Sequence, residues 1–306
     1  MLTEFNSLSE LMIAFQDPQV AVDHFTAIRW KNGQFCPFCN HTKIYKLKRG
    51  GRYKCASPAC YAIFSITVGT IFENTKLPLR VWFGAMWLIA NHKKGIASTT
   101  LATDLNITQK AAWFVLHRLR YAAQLKSFNK PLTGIVEVDE TYVGGKARNR
   151  HGRHNGKGGG AGGKTTVIGA VERKGDVVAS VVPHGLGWPE AQRFIDGAVS
   201  PTVEMLVTDS SRVYAGIVGY PQHQTLNHAK GEYRKGEVHT QTIESVWSLL
   251  KRQIIGIHHW VSPKHLDQYV SEMTWRLNRR NLTAAGRVND MLSAVEGRLT
   301  YKALTA

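Results

Sequence analysis

Acidic residues, cysteines and long apolar runs are all scarce in this sequence of 306 residues. The longest apolar run, Val81–Ala90, is much shorter than the roughly 20 residues that a membrane-spanning helix needs, so it predicts a core helix instead. The amino-terminal stretch MLTEFNSLSELM has acids but no basic residue, unlike a secretory signal peptide. We therefore expect neither a membrane anchor nor secretion.

The scarcity of acids gives the chain a strong positive charge. Its 22 Asp and Glu face 39 Lys and Arg, so the formal net charge is +17 and the isoelectric point is about 9.8. This excess favours a polyanionic partner, with nucleic acid ahead of an anionic membrane surface, although a merely soluble basic protein is the alternative. The length allows one large domain or two to three smaller ones. We expect a cytoplasmic, nucleoid-associated protein in a cell without a nucleus, or else a nuclear one.

The few cysteines are clustered, in CPFC at Cys36 and Cys39 and in CASPAC at Cys55 and Cys60. In a reducing cytosol such clusters hold zinc more often than they form disulfides, and four thiolates suit a tetrahedral ion. The segment between the pairs predicts a hairpin that turns at Gly50–Gly51. We predict a structural zinc ribbon that depends on its ion, with a disulfide pair or unconnected buried thiols as alternatives.

Helical periodicity follows, from Leu79 to Ala123. Ser98 and Thr108 are predicted to cap a short and a longer helix, which are joined by the turn NIT. Two helices with a tight turn are typical of a helix-turn-helix, although helical pairs also occur as scaffold. The face of the second helix that we expect to point outward carries four candidates for DNA binding, namely Lys110, His117, Arg118 and Arg120.

The pattern then changes to strands. GIVEVDETYV, TTVIGAVERK and GDVVASVVPH predict three consecutive strands, followed by the helix WPEAQRFIDGAV and the strand VEMLVTDSS. This order predicts an α/β sheet with antiparallel hairpins on one side. Alternation in the first strand puts Val136 and Val138 on one face and Glu137 and Asp139 on the other. Asp209 lies at the carboxyl end of its strand, where α/β sheets place ligands.

A further helix, HTQTIESVWSLLKRQIIG, carries another acid. Its apolar stripe consists of Ile243, Val246, Trp247, Leu250 and Ile254. Glu244 borders this stripe, and Lys251 lies about two turns further along nearly the same face. Acids from two strand ends and a helix could meet around Mg²⁺, which prefers a few carboxylates and can promote in-line phosphoryl displacement. The alternative is that Asp139 and Asp209 are ordinary strand-end carboxylates and that Glu244 only solvates its helix.

Together these elements resemble the DDE transposases of bacterial insertion sequences, in the group with an amino-terminal zinc ribbon, a helix-turn-helix and an ISXO-like transposase domain. The resemblance rests on CPFC, GTIFENTKLPLRVWF, EVDETYVGGK, TDSSRVY and HTQTIESVWSLLKR, and it continues through VSPKHLDQYVSEMTWRLNRR and LTYKAL. It implies a multidomain α/β protein with an RNase H-like catalytic domain and a mixed sheet. The implied domains are a helical segment (1–32), the zinc ribbon (33–75), the helix-turn-helix (76–126), the catalytic domain (131–282) and a helical tail (283–306).

The resemblance also implies roles for single residues. Asp139, Asp209 and Glu244 would form the catalytic triad that binds Mg²⁺ or Mn²⁺, and Lys251 is the basic residue that follows the triad in this group. Lys251 and its neighbour Arg252 are also expected to contact DNA.

This chain departs from its relatives in two places. Many relatives have Asn where this chain has Glu244, and the second cysteine pair is spaced more widely than usual, which affects ribbon geometry rather than catalysis. Glu137 and Glu140 are second choices as metal ligands, because Asp139 matches the motif. His228 and His239 could flank the site, with a polar loop histidine as the default for each.

A basic, glycine-rich segment follows the first acid. Residues 144–164 include nine glycines, six Lys or Arg, two His and no acid. Such a segment cannot bury a core, but its cations would release counterions from DNA phosphates; a solvated hairpin loop is the alternative. Its candidates for DNA contact are Lys146, Arg148, Arg150, Arg153 and Lys157.

The predicted function is that of a transposase that binds the terminal inverted repeats of its insertion sequence and then cleaves and transfers DNA strands. Two DNA ends must be handled, so we expect a homodimer or a larger assembly on DNA. One alternative is a DNA-binding regulator with an inactive catalytic domain, which the intact acids argue against. The other is a Mg²⁺-dependent nuclease, which strand joining would exclude.

Overall fold

The computed structural model describes residues 3–47, 51–125, 130–145, 163–183, 185–227, 231–232 and 234–305. The chain forms two compact units, one from Met1–Leu125 with Asn281–Ala306 and the other from Lys126–Arg280. The five domains proposed from the sequence remain a prediction. Within the described ranges, no helix combines the length and the apolar character needed to cross a bilayer.

The first unit is largely helical. Its helices are α1 (Leu8–Ala14), α2 (Pro18–Arg29), α3 (Leu79–Asn91), α4 (Ser98–Leu105), α5 (Gln109–Leu125), α9 (Ala284–Leu292) and α10 (Tyr301–Thr305). Every residue of α3 from Trp82 to Ala90 is buried, because α1, α2, α4, α5 and α9 pack around it. The apolar run in the sequence therefore forms a core helix, as predicted.

The predicted two-helix motif consists of α4 and α5. Asn106 ends α4 in the left-handed conformation, with φ 51°, and so turns the chain between the helices. The amide of Ala111 donates to the Thr108 hydroxyl at 3.2 Å, which confirms that Thr108 caps α5. The predicted Ser98 cap is wrong: Ser98 is the first residue of α4, and its hydroxyl instead accepts from the Gln109 side chain.

The cysteines lie on or beside a small antiparallel sheet in the first unit. Its strands are β1 (Ile44–Lys46), β2 (Arg52–Cys55) and β3 (Ile63–Ser65), in that order. Lys46 pairs with Tyr53 at the end of the β1–β2 hairpin, which confirms the hairpin. Part of the predicted turn, including Gly50, lies outside the described residues.

The second unit is built on a mixed five-stranded sheet. The strands are β4 (Ile135–Val143), β5 (Thr165–Glu172), β6 (Val177–Val182), β7 (Met205–Asp209) and β8 (His223–Leu226), and their order is β6-β5-β4-β7-β8. The first three are antiparallel neighbours, whereas β7 and β8 run parallel to β4. This arrangement confirms the predicted α/β fold with a mixed sheet and antiparallel hairpins on one side. A separate two-stranded ribbon is formed by β9 (Arg234–Lys235) and β10 (Val238–His239).

Helices cover both faces of the sheet. They are α6 (Trp188–Ala198), α7 (Gln241–Gln253) and α8 (Pro263–Asn278). Val136 and Val138 of β4 pack in the same apolar cluster as α6. On the opposite face, Val167 and Val171 of β5 pack with the apolar residues of α7 and α8. Since successive strand residues alternate between faces, Glu137 and Asp139 lie on the face opposite Val136 and Val138, as predicted, and this face is the one that α7 covers.

Candidate functional site

Asp139 and Asp209 lie on adjacent parallel strands, Asp139 in the middle of β4 and Asp209 as the last residue of β7. The register pairs Ile135 with Met205 and Glu137 with Val207. Continuing the register by two residues brings Asp139 beside Asp209, the last residue of β7, whereas β4 continues to Val143. Chains separated by about 4.8 Å in a sheet bring the side chains at such positions close together. The predicted convergence of these two acids therefore follows directly from the strand register.

The charges of these acids influence each other. Burial, together with the nearby charges of Glu140 and Asp209, raises the pKa of Asp139 to about 7. Burial and the Asp209 charge also raise the pKa of Glu140, although a hydrogen bond from Tyr214 opposes that shift. Carboxylates that repel one another in this way form a donor set suited to a divalent cation, whose charge offsets their repulsion.

Glu140 is held by a buried tyrosine. The hydroxyl of Tyr214, which is completely buried, donates to Glu140 Oε2 at 2.6 Å. Burial and the Glu140 charge raise the pKa of Tyr214, so its hydroxyl stays protonated and can donate. Tyr214 follows β7 by five residues, and the amide of Ser211 donates to Asp209 Oδ1 at 3.0 Å. The segment after β7 is therefore tied to both strands that carry the acids.

The helix α7 contacts Asp139 through a tryptophan. The indole nitrogen of Trp247 donates to Asp139 Oδ2 at 3.0 Å. This approach requires Gly169, which pairs with Asp139 across β4 and β5, because a Cβ there would lie only 2.4 Å from the Trp247 ring. Glu244 lies three residues before Trp247, hence on a neighbouring part of the same helix face. Its carboxylate is exposed and accepts from the Thr240 hydroxyl at 3.2 Å.

The three predicted metal ligands are not gathered into one cluster. Among the described residues, the four cysteines are the group of three or more potential ligands whose donor atoms are close enough to share an ion. Asp139 and Asp209 are brought together, and Glu244 is placed on the helix that contacts Asp139 without joining them. The assignment of Asp139, Asp209 and Glu244 as the triad therefore stays a prediction.

Glu137 has a different environment from Asp139. It is fully buried, and its carboxylate accepts from the backbone amides of Thr242 and Ile243 at 2.8 and 3.0 Å, in the first turn of α7. Arg173 donates to it at 2.7 Å, and the Nδ1 atom of His239 lies 3.2 Å away. These bonds occupy both carboxylate oxygens. The second choice of Glu137 as a metal ligand was wrong, because its oxygens anchor the start of α7.

The remaining predicted residues of this unit are distributed as follows. Lys251 and Arg252 are exposed in the last turn of α7, where Arg252 donates to the Ser248 hydroxyl at 2.6 Å. His228 lies outside the described residues. So do all the predicted DNA contacts of the glycine-rich segment, which are Lys146, Arg148, Arg150, Arg153 and Lys157.

The predicted outward face of α5 is partly wrong. Lys110 is exposed, with its ammonium 5.2 Å from the centre of the Tyr301 ring. In contrast, His117, Arg118 and Arg120 are buried. Arg118 donates to the backbone oxygens of Ile71, Glu73 and Leu299, and its guanidinium stacks on Phe114. A helix surrounded by other elements can bury arginine in this way, because hydrogen bonds satisfy the guanidinium.

The four cysteines form a second candidate site. Their sulfur atoms all lie within 4.8 Å of one another, with 3.9 Å between Cys36 and Cys60 and 3.5 Å between Cys39 and Cys55. A tetrahedral zinc with bonds of about 2.3 Å separates its sulfurs by about 3.8 Å. The thiols are free and fit this geometry, so the wider spacing of the second pair does not prevent convergence. The cluster is compatible with the predicted structural zinc.

We expect one zinc per chain. The chain contains no cysteine outside this cluster, so a thiol-modifying reagent should release the metal and a colorimetric zinc indicator should measure it. Cys39→Ser should lower zinc affinity because it removes one of the four thiolates. A chain that contains no zinc as purified and takes up none when reduced would contradict the site.

Two family comparisons match the parts of the chain that contain the candidate sites. Residues 131–278 match the family described as ISXO2-like transposase domain, and residues 17–62 match the transposase zinc-ribbon domain. This first match covers 148 of the 306 residues, so the part of the chain that carries the acids is similar to ISXO2-like transposase domains. The first match spans β4 to α8 and so contains all the acids considered above, which confirms the resemblance inferred from the sequence.

A curated relative and several solved structures are also similar. The relative is an uncharacterized protein in transposable element ISH50 of Halobacterium salinarum, 26% identical over 272 residues, covering 84% of this chain and 89% of the relative. A Mos1 transposase paired-end complex with the left transposon end shares 14% identity, covers 66% of this chain and 81% of that chain, and has a TM-score of 0.22. A Mos1 mariner paired end complex with Mn shares 13%, covers 66% and 79%, and has a TM-score of 0.21. These scores are too low to transfer the role of any residue.

Three residues beside the acids were missed as site residues by the sequence reasoning. Trp247 was assigned only to the apolar stripe, and Tyr214 and Arg173 were not singled out. Each lies near an acid only after strands and helices pack. For Trp247 a signal did exist, because a tryptophan one turn from a predicted helical ligand has an N–H that needs a partner when buried.

Proposed function

We propose that this chain is a DNA transposase that binds the terminal inverted repeats of its own insertion sequence and then cleaves and joins DNA strands. The observation that carries the proposal is the juxtaposition of Asp139 in β4 with Asp209 at the carboxyl end of β7, with α7 bonded to Asp139 through Trp247. The match to the ISXO2-like transposase domain supports it.

In this proposal Asp139, Asp209 and Glu244 hold Mg²⁺ or Mn²⁺. A divalent cation bound there would supply activation of a water or a 3′-hydroxyl and stabilisation of the leaving oxygen. The indole of Trp247 fixes the orientation of the Asp139 carboxylate, and Ser211 does the same for Asp209. Lys251, two turns beyond Glu244, would bind a DNA phosphate as a point charge.

The partners follow from the same chemistry. We propose that the exposed Lys110, together with the basic segment 146–157, contacts transposon ends or target DNA, and that the zinc ribbon is structural. Joining two ends requires a homodimer or larger assembly. Action on chromosomal DNA would place the protein in the cytoplasm, at the nucleoid.

The test uses the full chain and DNA that carries the inverted repeats flanking its coding sequence. With Mg²⁺ or Mn²⁺ we expect a nick that leaves a 3′-hydroxyl at the element end, followed by joined products with a supercoiled plasmid. Neither product should form without a divalent cation or with scrambled ends. Binding without either product would instead support a regulator, and nicking without joining would support a nuclease.

A further inference from the structure

A recess lies where the end of α7 meets the end of β4. Its volume is about 500 Å³, which is within the range of ligand pockets. Its lining includes Tyr142, Gly144, Lys251, Ile255 and Trp260, and we refer to it as the Trp260 pocket. Neither the metal binding proposed for the acids nor the zinc ribbon explains this pocket.

The pocket presents large apolar side chains to solvent. Ile255 is 68% exposed and Trp260 is 65% exposed, whereas the side chains of the α7 stripe are buried in the core. Such side chains are normally buried, and a cluster of them on a surface marks an interaction site. Tyr142 also lines the pocket and is 36% exposed.

An unusual backbone brings Trp260 to this position. After Gln253, α7 changes into a π-helical turn, Ile254–His258, which ends at His259 with φ 58° and ψ −45°. This conformation is sparsely populated for a residue with a Cβ, and both π-turns and such outliers are frequent at functional sites. The strained turn interrupts the helix and leaves Trp260 at the mouth of the pocket.

The charge of the pocket favours DNA as its occupant. Among its described lining residues Lys251 is a cation and none is a carboxylate. Tyr142 follows Asp139 by three residues along β4, about 10 Å at the rise of a strand, so the pocket lies within a few nucleotides of the acids. An aromatic wall with a neighbouring cation suits a base and its phosphate.

We propose that the Trp260 pocket binds one unpaired base of the DNA strand that is attacked at Asp139. The base stacks on the Trp260 indole, Ile255 flanks it, and Lys251 pairs with the adjacent phosphate. The base must be unpaired, because the faces of a base inside a duplex are already stacked. This inference rests on the proposed function, since it assumes a DNA strand at the acids.

The experiment uses the full chain and a short single-stranded oligothymidine that carries one 5-iododeoxyuridine, which cross-links to aromatic side chains under light. We expect a cross-link to the peptide that contains Trp260, identified by mass spectrometry. Trp260→Ala should reduce this cross-link and weaken single-strand binding by fivefold to about a hundredfold, the range for one stacked base. Trp260→Phe should retain most of the cross-link and most of the single-strand affinity. Val218→Ala, which alters an equally exposed apolar side chain, should change neither the cross-link nor the affinity.

The salt dependence separates stacking from charge. Lys251→Ala should lower the slope of log affinity against log salt by about 0.7, the value for one phosphate on a single strand, whereas Trp260→Ala should leave the slope unchanged. The measurements are made without Mg²⁺, so they do not depend on cleavage and their failure would leave the proposed function standing.

Three results would overturn the inference. The first is a cross-link that maps to a different peptide and is unaffected by Trp260→Ala. The second is that duplex DNA competes with the oligonucleotide for binding as effectively as single-stranded DNA does. The third is a Trp260→Ala chain that changes from dimer to monomer in sedimentation while cross-linking persists, which would assign this surface to contact between two copies.

Discussion

Asp209→Asn should abolish strand cleavage while leaving binding to the transposon ends intact. The amide is as large as the carboxylate and can still accept from Ser211, so β7 should keep its structure. It has no charge with which to hold a divalent cation beside Asp139. We expect the cleavage rate to fall at least about a thousandfold, equivalent to about 4 kcal/mol of transition-state stabilisation.

The matched control is Glu204→Gln. Glu204 is exposed and directly precedes β7, so it lies at the opposite end of the strand that Asp209 terminates. This variant removes the same charge and should cleave at the wild-type rate. End binding is measured by gel shift and cleavage on labelled DNA in Mg²⁺. Undiminished cleavage by Asp209→Asn would refute the assignment of the site.

Glu137→Ala should destabilise the second unit strongly. It removes the carboxylate that the first turn of α7 and Arg173 share, and it leaves that arginine, which is only 15% exposed, without its closest partner. Breaking a buried ion pair in this way costs about 3–5 kcal/mol. The melting temperature of the unit should therefore fall by about 6–20 °C, which differential scanning calorimetry can measure.

The same arginine provides the control. Glu237 lies 3.7 Å from Arg173 and is 73% exposed, so Glu237→Ala should change stability by less than about 1 kcal/mol. Glu137→Gln keeps the size of the side chain and one oxygen acceptor, so its melting temperature should lie between those of Glu137→Ala and the wild type. Equal melting temperatures for Glu137→Ala and Glu237→Ala would show that Glu137 does not anchor α7.

Local patterns in the sequence predicted much of this molecule. The spacing of the cysteines predicted their convergence, and strand alternation placed Glu137 and Asp139 on the face opposite Val136 and Val138. The order of strands and helices predicted the mixed sheet, and Asp209 could be placed at a strand end because polar residues follow a buried parallel strand. These features depend on periodicity and chain order, which the sequence contains directly.

Other features were beyond such patterns. The helical pattern predicts Arg118 on the exposed face of α5. In the structure it is buried, and it donates hydrogen bonds to carbonyl groups of segments that are distant in sequence. Glu137 and Asp139 look equivalent in the strand, yet one meets helix amides and an arginine while the other meets an indole. The exposure of Trp260 depends on where the π-turn interrupts α7.

The sequence by itself determined which acids, thiols and elements this chain has, and in which order. Only the tertiary structure decided which acid has oxygens left for a metal ion and which acid anchors a helix instead. It also decided which basic side chains reach solvent. The physical reason is that a polar or charged group takes its role from the partners that desolvate it or bond to it. In this fold those partners come from strands and helices that are far apart in the chain.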